Sequence, residues 1–111
     1  MLQDGDRAPD FALPIESGER LRLSGLQGKL VVLYFYPKDD TSGCTMEAID
    51  FSGRKAEFGR AGATIVGLSP DSASDHDKFK AKHDLTIALA ADEQKEAAKA
   101  YGVWGEKSMY G

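Results

Sequence analysis

Leu30-Val-Val-Leu-Tyr-Phe-Tyr36, followed by Pro37-Lys-Asp-Asp-Thr-Ser-Gly-Cys44-Thr-Met-Glu47, is the stretch whose reading decides the fold. Its first seven residues show no alternation and are rich in β-branched and aromatic types, the pattern of a strand buried on both faces. Pro37 cannot continue a ladder and ends that strand. A polar loop follows, and a helix is expected to begin near Cys44 and run toward Arg60. A buried strand leading straight into a helix opens a β-α-β unit.

Upstream, Phe11-Ala-Leu-Pro-Ile and Arg20-Leu-Arg-Leu flank Glu-Ser17-Gly18-Glu, which reads as a hairpin with its turn at Ser17-Gly18. Ser24 to Gly28 is a loop. Downstream, Ala63-Thr-Ile-Val-Gly-Leu-Ser69 is a second buried strand, with turn and N-cap residues over Pro70 to Ser74 and a helix over about Asp75 to His83. Leu85-Thr-Ile-Ala-Leu-Ala90 is a third strand. Asp92 is placed to cap a last helix containing Ala97 and Tyr101, which Gly102 stops. The order is an N-terminal hairpin, then β-α-β-α-β-α, so the class is α/β with parallel pairing through crossovers.

The 111 residues suffice for one domain, 1–111, without repeat or linker. Interspersed acids and bases, with a formal net charge of -4, leave no basic stripe for nucleic acid. No apolar run reaches membrane-spanning length, and Met1-Leu-Gln-Asp lacks the basic flank and apolar core of an export signal. One cysteine excludes an internal disulfide and a multi-cysteine metal site. His76 and His83 share a helix face but stand roughly 10 Å apart, too far to hold one zinc ion. No metal or other cofactor is expected. A single reduced cysteine and the absence of a targeting segment point to the cytoplasm.

The chemistry gathers at the carboxyl end of Leu30–Tyr36, where ligands collect in open α/β sheets. A helix start offers unpaired N–H groups and partial positive charge, which bias a cysteine toward its nucleophilic thiolate. A helix terminus contributes up to ~2 kcal/mol, enough to bring a thiol pKa from about 8.5 to about 7. Gly43, lacking a Cβ, lets the backbone approach a small ligand. From the residues alone, Cys44 also fits a small buried apolar filler. Thr41 equally fits an N-cap, Pro37 a strand terminator and Glu47 an ordinary first-turn acid.

Pro37-x-x-x-Thr41-x-x-Cys44 resembles the active-site motif of peroxiredoxins. Tyr34-Phe-Tyr-Pro-Lys-Asp-Asp-Thr-Ser-Gly-Cys-Thr-Met-Glu-Ala48 is similar to their bacterioferritin comigratory protein, or peroxiredoxin Q, branch. So are Gly5-Asp-Arg-Ala-Pro-Asp-Phe11 and Tyr101-Gly-Val-Trp-Gly-Glu-Lys107. The resemblance implies a thioredoxin-like fold and a thiol peroxidase acting on hydrogen peroxide and organic hydroperoxides. It implies that Cys44 is the peroxidatic nucleophile and passes through a sulfenic acid. Thr41 would hydrogen-bond the peroxide, Pro37 would shield the thiolate, and the backbone N–H groups of Gly43 and Cys44 would stabilise the departing oxygen.

Departures from the family pattern sharpen these expectations. Ser42 stands where the branch usually has proline, and Ile49 where many members carry a resolving cysteine. Recycling would then need an external thiol or a thioredoxin-like reductant. Family members add a final strand pair and helix after the region ending here at Gly111, with an arginine that Glu47 would orient. The expectation is therefore a C-terminally incomplete domain whose exposed strand edge favours self-association. The alternatives are a peroxiredoxin-fold domain of weak or no activity and a thiol–disulfide carrier. The carrier lacks the second sulfur of Cys-x-x-Cys.

Overall fold

The computed structural model describes residues 3–15, 19–26 and 28–103. The Ser17-Gly18 turn and the motif beyond Val103 lie outside the described residues. The hairpin forms from β1 (Ala12–Pro14) and β2 (Arg20–Arg22), antiparallel with Leu13 opposite Leu21. A 3-10 turn over Leu23–Leu26 leads to β3 (Leu30–Phe35). Then come α1 (Ser42–Gly53), α2 (Lys55–Arg60), β4 (Ala63–Ser69), α3 (Ala73–His83), β5 (Ala88–Ala91) and α4 (Glu96–Ala100). The strands β3-β4-β5 form one parallel sheet, Leu33 opposite Val66 and Leu68 opposite Ala90.

Alternation along the strands builds two cores, one on each face of the sheet. Ile65 and Leu89 join Tyr36, Ala48, Phe79, Leu85 and Ile87 on one face, with Val32, Tyr34, Cys44, Phe51 and Phe58 packed against them. Val66, Leu68, Ala90 and Ala97 form the other, covered by hairpin residues such as Phe11, Leu13 and Leu21. A single bridge between Ile15 and Ala90 joins the hairpin to β5. Fully burying a side chain such as Leu68 contributes roughly 1.5–3 kcal/mol, so the central strand β4 anchors both cores.

Three expectations need correction. The most fully buried strand is β4; β3 packs on both cores but lies at an edge of the described sheet, partly buried from Val31 to Phe35 and with Leu30 66% exposed. The helix expected toward Arg60 is two helices. At Arg54 (φ -105°, ψ 7°) the N–H is shared between the carbonyls of Asp50 and Phe51, and the chain restarts one residue later. The third strand is Ala88–Ala91 rather than Leu85–Ala90; Leu85 and Ile87 are buried ahead of it, outside the ladder.

The smaller signals act as read. Ser72 caps α3 by accepting from the Asp75 N–H at 3.1 Å. The buried Asp92 carboxylate accepts from the Ala97 and Ala98 N–H groups at the start of α4. Gly102, at φ 74°, takes the left-handed turn after that helix.

Candidate active site

Cys44 is the third residue of α1, half-buried, with its side chain packed on the core beneath the sheet's carboxyl end. Its helix begins two residues earlier than expected. The first helical bond runs from the Thr45 N–H to the Thr41 carbonyl at 2.8 Å. The N–H groups of Ser42, Gly43 and Cys44 therefore precede the ladder. Thr41 occupies the N-cap position, yet its hydroxyl does not cap. It donates instead to the Lys38 carbonyl at 3.1 Å. The helix start is left open to an incoming anion or a polarised oxygen.

Pro37, Thr41, Gly43 and Glu47 are exposed around this point, Pro37 and Thr41 in the turn from β3 into α1 and Gly43 and Glu47 in α1 itself. A Cβ placed on Gly43 would meet nothing, so the approach to its backbone is open. Glu47 lies three residues after Cys44, on the neighbouring strip of helix surface. Tyr34 lies inside the site, stacked between Tyr36 at 5.5 Å and Phe51 at 4.7 Å. Burial pushes its hydroxyl pKa up, reinforced by the charges of Glu47, Asp39 and Cys44. Gly67 makes room for this ring: a Cβ there would stand 2.7 Å from Tyr34 Cζ.

Sequence reading missed a polar network under the loop. Asp39 and His76 are both buried, with His76 Nδ1 2.6 Å from Asp39 Oδ2 and Nε2 3.1 Å from the Ala90 carbonyl. The Tyr36 hydroxyl donates to Asp39 Oδ1 at 2.6 Å. The Asp39 N–H donates to Asp71 Oδ2, which also accepts from the Ser69 hydroxyl. Burial opposes charge on His76, but the Asp39 bond and charge, the Ala90 carbonyl and the Asp71 charge outweigh it and raise its pKa. Burial, then the Asp39 bond, drive the Tyr36 hydroxyl pKa upward. The one available signal was the run of polar groups at the ends of apolar strands, Asp39 after β3 and Ser69 and Asp71 at the end of β4.

His76 and His83 are each engaged by an aspartate, and among the described residues no cluster of three His, Cys, Asp or Glu side chains could hold a metal. A larger groove of about 690 Å³ runs past Arg7, Asp10, Leu23, Lys29 and Val31 and includes none of the motif residues. No helix among the described residues is long and apolar enough to cross a membrane.

A model of the AhpC/TSA family matches residues 5–111. The chain is 46% identical over 110 residues to peroxiredoxin Bcp of Bacillus subtilis, covering 99% of this chain and 70% of the relative. It is 40% identical to peroxiredoxin Bcp of Escherichia coli K12, with the same coverage. Peroxiredoxin Q of Xanthomonas campestris superposes with a TM-score of 0.85 at 41% identity, over 90% of this chain and 63% of that one. A further Xanthomonas campestris structure, of a bacterioferritin comigratory protein described for its alkyl peroxide reduction activity, gives a TM-score of 0.85 at 40% identity. The chain spans just under two thirds of the length of these solved structures.

Proposed function

The chain belongs to the AhpC/TSA family, and from that membership we propose that it is a thiol peroxidase with Cys44 as nucleophile. The observation that carries this reading is the placement of a half-buried cysteine third in a helix whose first N–H groups no side chain caps. The Cys44 thiolate attacks one oxygen of the peroxide. An S–O bond forms, the O–O bond breaks, and the departing oxygen takes a proton and leaves as water or an alcohol. Cys44 is then a sulfenic acid.

Thr41 is assigned the peroxide hydrogen bonds, for which a hydroxyl serves as both donor and acceptor. The Gly43 and Cys44 N–H groups stabilise charge on the departing oxygen, in the manner of an oxyanion hole. Pro37 shields the thiolate. Glu47 takes the family's role of orienting an arginine that relatives carry farther along.

The sequence holds one cysteine, so an external thiol recycles the enzyme. The thiol displaces water from the sulfenic acid to give a mixed disulfide, and a second thiol restores Cys44. A thioredoxin-like dithiol or a small thiol meets this need, in a reducing compartment such as the cytoplasm. The edge of β3, which carries no partner strand among the described residues, supports pairing with a second copy of the chain.

The test is peroxide consumption with dithiothreitol as reductant. Wild type should remove hydrogen peroxide and an alkyl hydroperoxide well above the thiol-only background, and Cys44→Ser should match that background. Equal consumption by the two proteins would overturn the assignment.

A further inference from the structure

His76 and His83 stand seven residues apart on α3, two helical turns, and so share one face. The chemistry proposed above uses neither. Each engages a different aspartate, and the two aspartates are consecutive in the loop between β3 and α1. His76 Nδ1 meets Asp39 Oδ2 at 2.6 Å, and His83 Nε2 meets Asp40 Oδ1 at 2.8 Å. Lys82 pairs with the other oxygen of Asp40. Asp39 and Asp40 lie between Pro37 and Thr41, the two loop residues assigned to the peroxide.

Asp40 sits at φ 64°, in the left-handed region, which costs most L-residues and aspartate less. Its side chain is held from outside, by the last turn of α3. Asp39 is held more closely still, through its carboxylate by His76 and Tyr36 and through its N–H by Asp71. A buried contact and an exposed contact thus pin two adjacent residues to one helix.

We propose that α3 positions the active-site loop, with His76 and His83, helped by Lys82, fixing Asp39 and Asp40 and so holding Pro37 and Thr41 at Cys44. These are positioning residues, and their role rests on the thiol-peroxidase reading. A purely structural role would slow every reaction of Cys44 in parallel. Positioning acts selectively, because peroxide needs the loop, whereas an alkylating reagent needs only the thiolate.

The exposed half of the clamp can be cut with least risk to folding, by Lys82→Met with His83→Gln in one protein. The buried half is tested by His76→Asn, which retains a donor toward Asp39, against His76→Leu, which does not. Three quantities are measured: amide hydrogen exchange at residues 39–41, the rate constant with hydrogen peroxide, and the rate constant with iodoacetamide. In the double variant, loop exchange should rise and the peroxide rate should fall, each about tenfold, with alkylation within about twofold of wild type. His76→Asn should keep most of the peroxide rate that His76→Leu loses; if His76→Leu does not fold, the double variant decides.

Unchanged loop exchange in the double variant would overturn the proposal. So would faster exchange with an unchanged peroxide rate, or a parallel fall in both rates. Should wild type react with peroxide no faster than free cysteine, the peroxidase reading fails instead. Loop exchange then decides alone whether α3 holds the loop.

Discussion

His76 has an acceptor at each ring nitrogen, the Asp39 carboxylate on one side and the Ala90 carbonyl on the other. Satisfying both takes two N–H donors, which only the charged imidazolium supplies. Its raised pKa agrees with that geometry. The groups facing it are Tyr36 at the end of β3, Asp39 in the loop, Asp71 after β4 and the Ala90 carbonyl of β5. The folded protein therefore binds a proton more tightly than the unfolded chain, whose histidine titrates near ~6.5. The resulting stability is fully present below that value and is lost as pH rises through the folded pKa. Urea unfolding followed from pH 6 to pH 9 should show a falling midpoint, and His76→Gln should flatten the decline. A residue-level cost follows as well. Removing His76 leaves a buried carboxylate without its partner, so His76→Ala should destabilise by about 3–5 kcal/mol. A loss below ~1 kcal/mol in equilibrium unfolding would contradict the charged pair.

At the scale of elements, Tyr34 stacks on Tyr36 and Phe51 and lies over the missing side chain of Gly67. Gly67→Ala would bring a Cβ within 3.0 Å of three Tyr34 atoms. Moving the ring aside disturbs two stacked neighbours, so overpacking should cost about 1–3 kcal/mol by thermal or urea unfolding. An unchanged midpoint would show that the ring has room to move. These elements also show where sequence reading succeeds. Ala63–Ser69 was legible residue for residue because its middle meets both cores, Ile65 on one face and Val66 and Leu68 on the other. The apolar run of β3 was legible as two-faced, since its side chains do alternate between the cores. Its edge position was not, because pattern reports which way side chains face and not which strand lies alongside. The break at Arg54 was hidden for a similar reason. Phe51 and Phe58, seven apart, pack with ring centroids 6.1 Å apart and keep the helical period intact across it. Cys44 and its motif neighbours were legible as one contiguous segment. The Asp39–His76 pair was not, since the two are joined only once α3 packs beside β5.

The molecule as a whole places Cys44, the proposed nucleophile, at the start of α1 just past the end of β3, with a loop bonded to α3 before it and an edge strand whose outer side carries no partner among the described residues. Pairing of two such edges predicts concentration-dependent association in sedimentation velocity, weakened in Leu30→Lys, which puts a charge where 66% of a leucine is exposed. A sedimentation coefficient independent of concentration would remove that interface from the account. The proposed chemistry of Cys44 is read from the intact mass of the protein after brief exposure to one equivalent of hydrogen peroxide. The expected result is addition of a single oxygen, mapped to Cys44, blocked by prior alkylation of the thiol and reversed by added thiol through a mixed disulfide. A folded protein that takes up no oxygen at Cys44, or takes it up elsewhere, would contradict it.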